Sequence, residues 1–250
     1  MNETLRACHA EWIAWTGLRF TRLALAAGVL TTIAFALVGA GSLAASAANG
    51  YDVAASAPAI AAQAVAVGQL PLLVLAATVL PARQAGGALR ATVRAVPRRG
   101  RLLLATTIVV SGVLGLVGAV AGLAAVVTAT VVLGASDGAA TADIVRTVLG
   151  SGVAVGLTGA VLVGVGALVR ATLAALLCGM LLVFVAPLLA EFSASGWVAE
   201  AGTYLPSTAA AALGAPDGGR YPALVGALIL LVWAVAAQLA GYAALWLRDV

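Results

Sequence analysis

The chain has 250 residues, 63% of them apolar and 9% charged, with a mean hydropathy of +1.13. Soluble globular domains carry roughly 25% charged residues, so this composition excludes one. All thirteen strongly basic residues are arginine, and without any lysine the phosphate-cradling G-x-x-x-x-G-K-[ST] loop cannot occur.

Residues 1–22 precede the first long apolar stretch. On a 3.6-residue period Leu5, Cys8, Trp12 and Trp15 share a face, with Glu3, Arg6 and Ile13 turned elsewhere. Tryptophan at headgroup level opposite a charged face predicts an amphipathic helix on the membrane surface, anchored by Trp12 and Trp15. A frayed terminus with two interfacial anchors is the plainer alternative.

Six apolar stretches follow, at roughly 23–48, 58–80, 102–133, 145–169, 171–190 and 222–247. Each reaches about the 20 residues a helix needs to cross a hydrocarbon core. In lipid a spanning segment must satisfy its own backbone hydrogen bonds, and the alternating ten-residue segments of a β-barrel do not occur. Ala45-Ser46-Ala47 resembles a signal-peptidase site, but the preceding region is long and carries Glu3 and Glu11, so an uncleaved first span is the better account. The third stretch exceeds one bilayer thickness and is expected to tilt or project. Arg170 interrupts 46 nearly continuous apolar residues and is expected to mark a tight turn between spans four and five.

Residues 191–221 are too polar and interrupted to span. Trp197, Tyr204 and Pro206 lie there among short alanine runs, and short interfacial or re-entrant helices on the outer face are expected. A plain external loop is the alternative. Gly118-xxx-Gly122 and Gly152-xxx-Gly156 place small residues on one helical face, which favours tight packing inside the chain over a dimer seam. The fold class expected is therefore all-α: one polytopic transmembrane domain over 1–250, with six transmembrane helices, an N-terminal interfacial helix and short outer re-entrant helices.

Charge orients the spans. With six, both termini share a side carrying eleven arginines against three carboxylates, net +8; the other side has two arginines against six carboxylates, net −4. The positive-inside rule makes the +8 side, and both termini, cytoplasmic. The high pI then reflects topology rather than nucleic-acid binding. The densest cluster, Arg83, Arg90, Arg94, Arg98, Arg99 and Arg101, contains no acid. Arg90, Arg94 and Arg98 recur every four residues, and Pro97 disfavours helix at Val96. A short basic helix and turn of this kind can dock into an acidic groove on a cytoplasmic protein. Equally, each arginine held near anionic lipid gains about 1 kcal/mol, and spacing alone leaves both readings open.

Catalytic chemistry has little to build on. The single histidine, His9, sits beside Cys8, too few ligands for a metal site and poorly placed for a Ser-His-Asp triad. A disulfide between Cys8 and Cys178 is implausible, since one lies before the membrane and the other inside a span. The span interiors offer Gln63, Gln69 and Gln238, hydroxyls and glycines, without the ionisable relays of ion-coupled carriers. A solute moved by this chain would draw its energy elsewhere, and the apolar interior suits a hydrophobic or amphipathic cargo.

The run Gly86-Gly87-Ala88-Leu89-Arg90-Ala91-Thr92-Val93-Arg94-Ala95-Val96-Pro97-Arg98-Arg99 resembles the cytoplasmic loop of ABC type-2 permeases, where a Gly-Thr-x-Arg stretch precedes a Pro-x-Arg turn. Gly166-Ala167-Leu168-Val169-Arg170-Ala171-Thr172 is similar to that family's turn between spans four and five. Pro187, Trp197 and Tyr204-Leu205-Pro206-Ser207 resemble its fifth span and outer re-entrant segment, and Glu11-Trp12 matches its N-terminal helix in place. One departure is Arg83-Gln84, where many members have an acid before the loop glycine; a salt-bridge role there is in doubt.

The resemblance covers nearly the whole chain as a layout. It implies a permease subunit of a bacterial exporter, a multi-pass cell-membrane protein that pairs with a second permease subunit, the same or homologous. Separate ATP-binding subunits would hold ATP and Mg, with no cofactor in this chain. The members most like it come from bacteria with GC-rich genomes. Arg90, Arg94, Pro97, Arg98 and Arg99 would contact the ATP-binding subunit. The alternative from another class is a non-transporting membrane scaffold that anchors a cytoplasmic partner through the same loop.

Overall fold

A computed structural model describes residues 3–51, 55–85, 99–134, 140–169, 171–215 and 220–247; for residues 3–5, 83–85 and 99 it describes the backbone alone. Every regular element among the described residues is helical. Among the described residues six helical segments are long and apolar enough to cross a membrane, so the chain is a polytopic helical membrane protein.

Helix α1 covers Glu3–Thr16, and α2 (Arg19–Ala48) is the first span. The second span is two helices, α3 (Ala57–Gly68) and α4 (Leu70–Ala85). Helix α5 (Arg99–Leu133) is the third and α6 (Thr141–Leu168) the fourth. The fifth comprises α7 (Thr172–Met180), a π-helical turn (Leu181–Val185) and α8 (Ala186–Glu191). Two short helices, α9 (Gly196–Gly202) and α10 (Pro206–Gly214), precede the sixth span, α11 (Ala223–Leu247).

Proline chemistry accounts for the break in span two. Pro71 has no N–H and cannot continue the ladder. The chain tightens there, and Leu72 N–H donates to Gln69 O at 2.9 Å instead of reaching back to Gly68. That leaves the Gly68 carbonyl without its helical donor, and the Thr31 hydroxyl of α2 supplies one at 2.7 Å. Glycine is required at 68, since a Cβ there would lie 2.7 Å from Thr32 N. In span five the disturbance is a wider turn. Ala186 N–H bonds to Leu181 O, five residues back, just before Pro187. Such π turns are one way a helix absorbs an irregularity.

Helix α6 is the axis of the bundle. In its apolar segment 72% of residues are buried within the chain, against 17% in α11. It packs most extensively on α5, and this seam is built from the glycines. A Cβ on Gly152 would stand 2.9 Å from Gly115 O, and one on Gly118 would stand 3.0 Å from Ser151 O. Backbones this close exclude any side chain, so the glycine spacing serves packing inside the chain, as expected. Gln238 adds a polar tie: its amide donates to Ala160 O at 2.7 Å and accepts from the Thr107 hydroxyl at 3.0 Å, joining α11, α6 and α5.

The outer surfaces of the spans are apolar. Leu23, Leu30, Val38, Leu116, Val131, Leu173, Val232 and Leu239 are all exposed. A belt of this extent in water would be an aggregation surface, whereas in lipid it is the expected boundary.

Helix α1 departs in detail from expectation. Trp15 is only 2% exposed and packs into the main core, and Glu11 is buried beside it, while Trp12 and Ile13 face outward. The buried face is Cys8, Glu11 and Trp15, because α1 docks on α5. Of the two tryptophans, Trp12 alone presents its ring to the surroundings. Trp15 is a packing residue instead of a headgroup anchor.

Candidate functional site

The two ends of the bundle differ. One, the basal end, gathers α1, the start of α5 and the end of α11, with Gly100 against the Tyr242 ring. There the ends of α4 and α6 also meet, with Gly166 on Ala77 O and Pro81. The segment joining α4 to α5 therefore departs from and returns to the basal end. Arg90, Arg94, Pro97 and Arg98 lie outside the described residues. Arg99 opens α5, and Arg101, two residues farther on, is partly buried.

Where α5 leaves this end, α1 is clamped to it. The Thr106 hydroxyl donates to Glu11 Oε2 at 3.2 Å, and both side chains are buried. A carboxylate in an apolar setting needs such donors to offset its lost hydration. The helix that precedes the membrane is thus tied to the helix that follows the arginine-rich segment.

At the opposite, apical end, residues 196–214 are two short helices docked into the bundle. Pro206 is buried at the first position of α10, where a missing N–H costs nothing. Trp197 and Tyr204 are exposed. The Tyr204 carbonyl accepts from Trp233 Nε1 at 2.8 Å, and Tyr221 OH donates to Thr203 O at 2.9 Å. Burial, reinforced by nearby Tyr204 and opposed by Arg220, raises the Tyr221 hydroxyl above its ordinary pKa and keeps it a donor. Helix α10 also touches the axis, with Thr147 Oγ1 donating to Gly214 O at 3.0 Å and Gly150 against the Leu213 carbonyl.

Between these ends, among the described residues, two cavities of about 400 Å³ each open along the spans. One lies between α2 and α3 and is lined by Phe35, Ser42, Ser46 and Gln63. The other lies among α3, α6, α8 and α10 and contains Gln69, Ser151, Phe184, Glu191 and Ser207. Sequence reasoning singled out Gln63 and Gln69 only as polar residues within spans. The burial of Glu11 and the convergence of Gln69 with Ser207 and Glu191 depend on long-range packing. Pro71, two residues after Gln69, is the one local signal of a break there.

No metal-ligand cluster of three or more His, Cys, Asp or Glu occurs among the described residues. Compared with known proteins, the chain matches no family model and no curated protein.

Proposed function

We propose that this chain is the membrane subunit of an ATP-driven exporter of the ABC type-2 permease kind. In that assembly a second permease subunit forms the pathway with it, and a separate ATP-binding subunit drives it from the cytoplasm. The observation that carries the reading is the acid-free arginine segment 83–101, set between spans two and three of a six-span, lysine-free chain. Support comes from the Glu11–Thr106 tie, which links α1 to the first turns of the helix leaving that segment. Movement imposed on the segment would reach α1 and α5 together. The lack of lysine, and with it of a P-loop, supports placing ATP hydrolysis on another chain. The cargo would be hydrophobic or amphipathic, in keeping with the apolar span interiors.

The test moves arginines within 83–101 while keeping their number, alongside Arg90→Gln, Arg94→Gln and Arg98→Gln. Membranes from the native host are solubilised, and co-purification of a nucleotide-binding subunit is quantified. Rearranged and single-site variants are expected to insert normally but lose that subunit. Retention of the subunit by every rearranged loop reduces the cluster to a topology signal and defeats the reading. Recovery of a non-ATPase partner through the same arginines would favour the scaffold.

A further inference from the structure

The cavity among α3, α6, α8 and α10 has no part in the coupling argument, yet it has the construction of a ligand site. Its volume of about 400 Å³ lies within the 300–1,000 Å³ usual for small-molecule pockets. Gly214 of α10 packs on Ala62, so along α3 the wall runs from the apical end at Ala62 inward to Gln69. On the facing side it follows span five from Val183 to Glu191, about 12 Å at 1.5 Å per helical residue. Val67, Leu188, Glu191 and Ala211 are its exposed lining residues and mark the mouth.

Its polar groups are specific. Gln69 is 6% exposed. Its amide nitrogen donates to Ala66 O at 3.1 Å, in the last turn of α3, while Oε1 has no hydrogen-bond partner among the described residues. Ser207 Oγ, at the start of α10, is also buried and unpartnered. A buried amide carbonyl without a donor is left desolvated and uncompensated, which a ligand N–H would relieve. Both groups can accept a hydrogen bond, and the mouth carries a carboxylate. Phe184 adds an aromatic ring to the wall, the side chain type that receives cations over its face. The rest of the lining is alanine, valine and leucine in the main.

We infer that this cavity binds an amphipathic organic cation. Its apolar body lies against Val155, Val183 and Phe184, an N–H donor reaches Gln69 Oε1, and its charge faces Glu191. The side of the chain to which the mouth belongs carries six carboxylates against two arginines, which favours a cation over an anion of equal size. The site lies within one subunit, so occupancy needs neither ATP nor a partner, and its test is separate from that of the export reading.

The probe is ethidium, a flat aromatic cation with amino donors, added to the purified full-length chain in lipid nanodiscs. Anilinonaphthalene sulfonate serves as an apolar anion of comparable size. Saturable ethidium fluorescence enhancement is expected, with the anion showing only the partition seen in empty nanodiscs. Gln69→Leu should weaken ethidium at least tenfold, and Glu191→Gln several-fold. Ala62→Trp, which fills the cavity from its α10 end, should abolish saturable binding, while Gln63→Leu in the other cavity should leave it unchanged. Each variant is compared at equal monodispersity on size exclusion; should Ala62→Trp not fold, Gln69→Leu and Glu191→Gln decide. Non-saturable binding, equal binding of the anion, or an affinity unchanged in both Gln69→Leu and Glu191→Gln overturns the proposal.

Discussion

Glu11 and Thr106 stand 95 residues apart in sequence, yet the Thr106 hydroxyl meets the Glu11 carboxylate at 3.2 Å inside the protein. Hydrogen bonds to charged groups contribute about 1.5–3 kcal/mol. Thr106→Val is therefore expected to lower stability by about 1.5 kcal/mol and to loosen α1 before the rest. Limited proteolysis in detergent should cut within residues 3–16 sooner than in the wild type. An unchanged cleavage rate would mean that the other contacts of α1, the packing of Trp15 among them, hold it without this bond.

The break in span two leaves the Gly68 carbonyl to one side-chain donor, the Thr31 hydroxyl. Thr31→Val keeps the shape of the side chain but withdraws the donor from the Gly68 carbonyl. A buried carbonyl left without a partner costs about 1–3 kcal/mol. Thermal unfolding in nanodiscs should show that loss. Thr128→Val, whose hydroxyl bonds only to Ala124 of its own helix among the described contacts, should show much less.

Two glycines separate packing from propensity. A Cβ on Gly150 would press directly on the Leu213 carbonyl, whereas one on Gly112 meets nothing within 4 Å. Gly150→Ala should destabilise by about 1–3 kcal/mol through overpacking of α6 on α10. Gly112→Ala should be neutral or stabilising by up to about 1 kcal/mol, because alanine is the better helix former. Equal melting temperatures for the two variants would contradict the docked position of α10.

Topology is open to labelling. On a background with Cys8 and Cys178 changed to serine, single cysteines at Arg90, Asp137 and Asp217 are treated with a membrane-impermeant maleimide on intact cells. The charge split of +8 against −4 predicts labelling at positions 137 and 217, and at position 90 only after permeabilisation. Labelling at position 90 from outside reverses the assigned orientation and removes the arginine segment from any cytoplasmic partner.

Each of the six apolar runs coincides with a long helical segment because spanning length is a property of composition, which sequence displays directly. The two short helices before α11 were legible for a related reason, since Pro206 and the polar interruptions forbid a span. What sequence could not display was which side of each helix meets which neighbour. Trp15 and Trp12 look alike on a helical wheel, and only the docking of α1 on α5 buries one and exposes the other. Gln69 likewise reads as an isolated polar residue until α6, α8 and α10 enclose it. The arginines at 90, 94 and 98 lie outside the described residues, so their role rests on spacing and resemblance.

Helix α5 runs from Arg99 to Leu133 as one element, about 50 Å at 1.5 Å per residue, while the second and fifth spans are interrupted. Its closest approach to α6, at Gly115 and Gly118, falls near its middle. Where backbone meets backbone there is no side chain to turn aside, so a displacement of α5 at that height carries α6 with it.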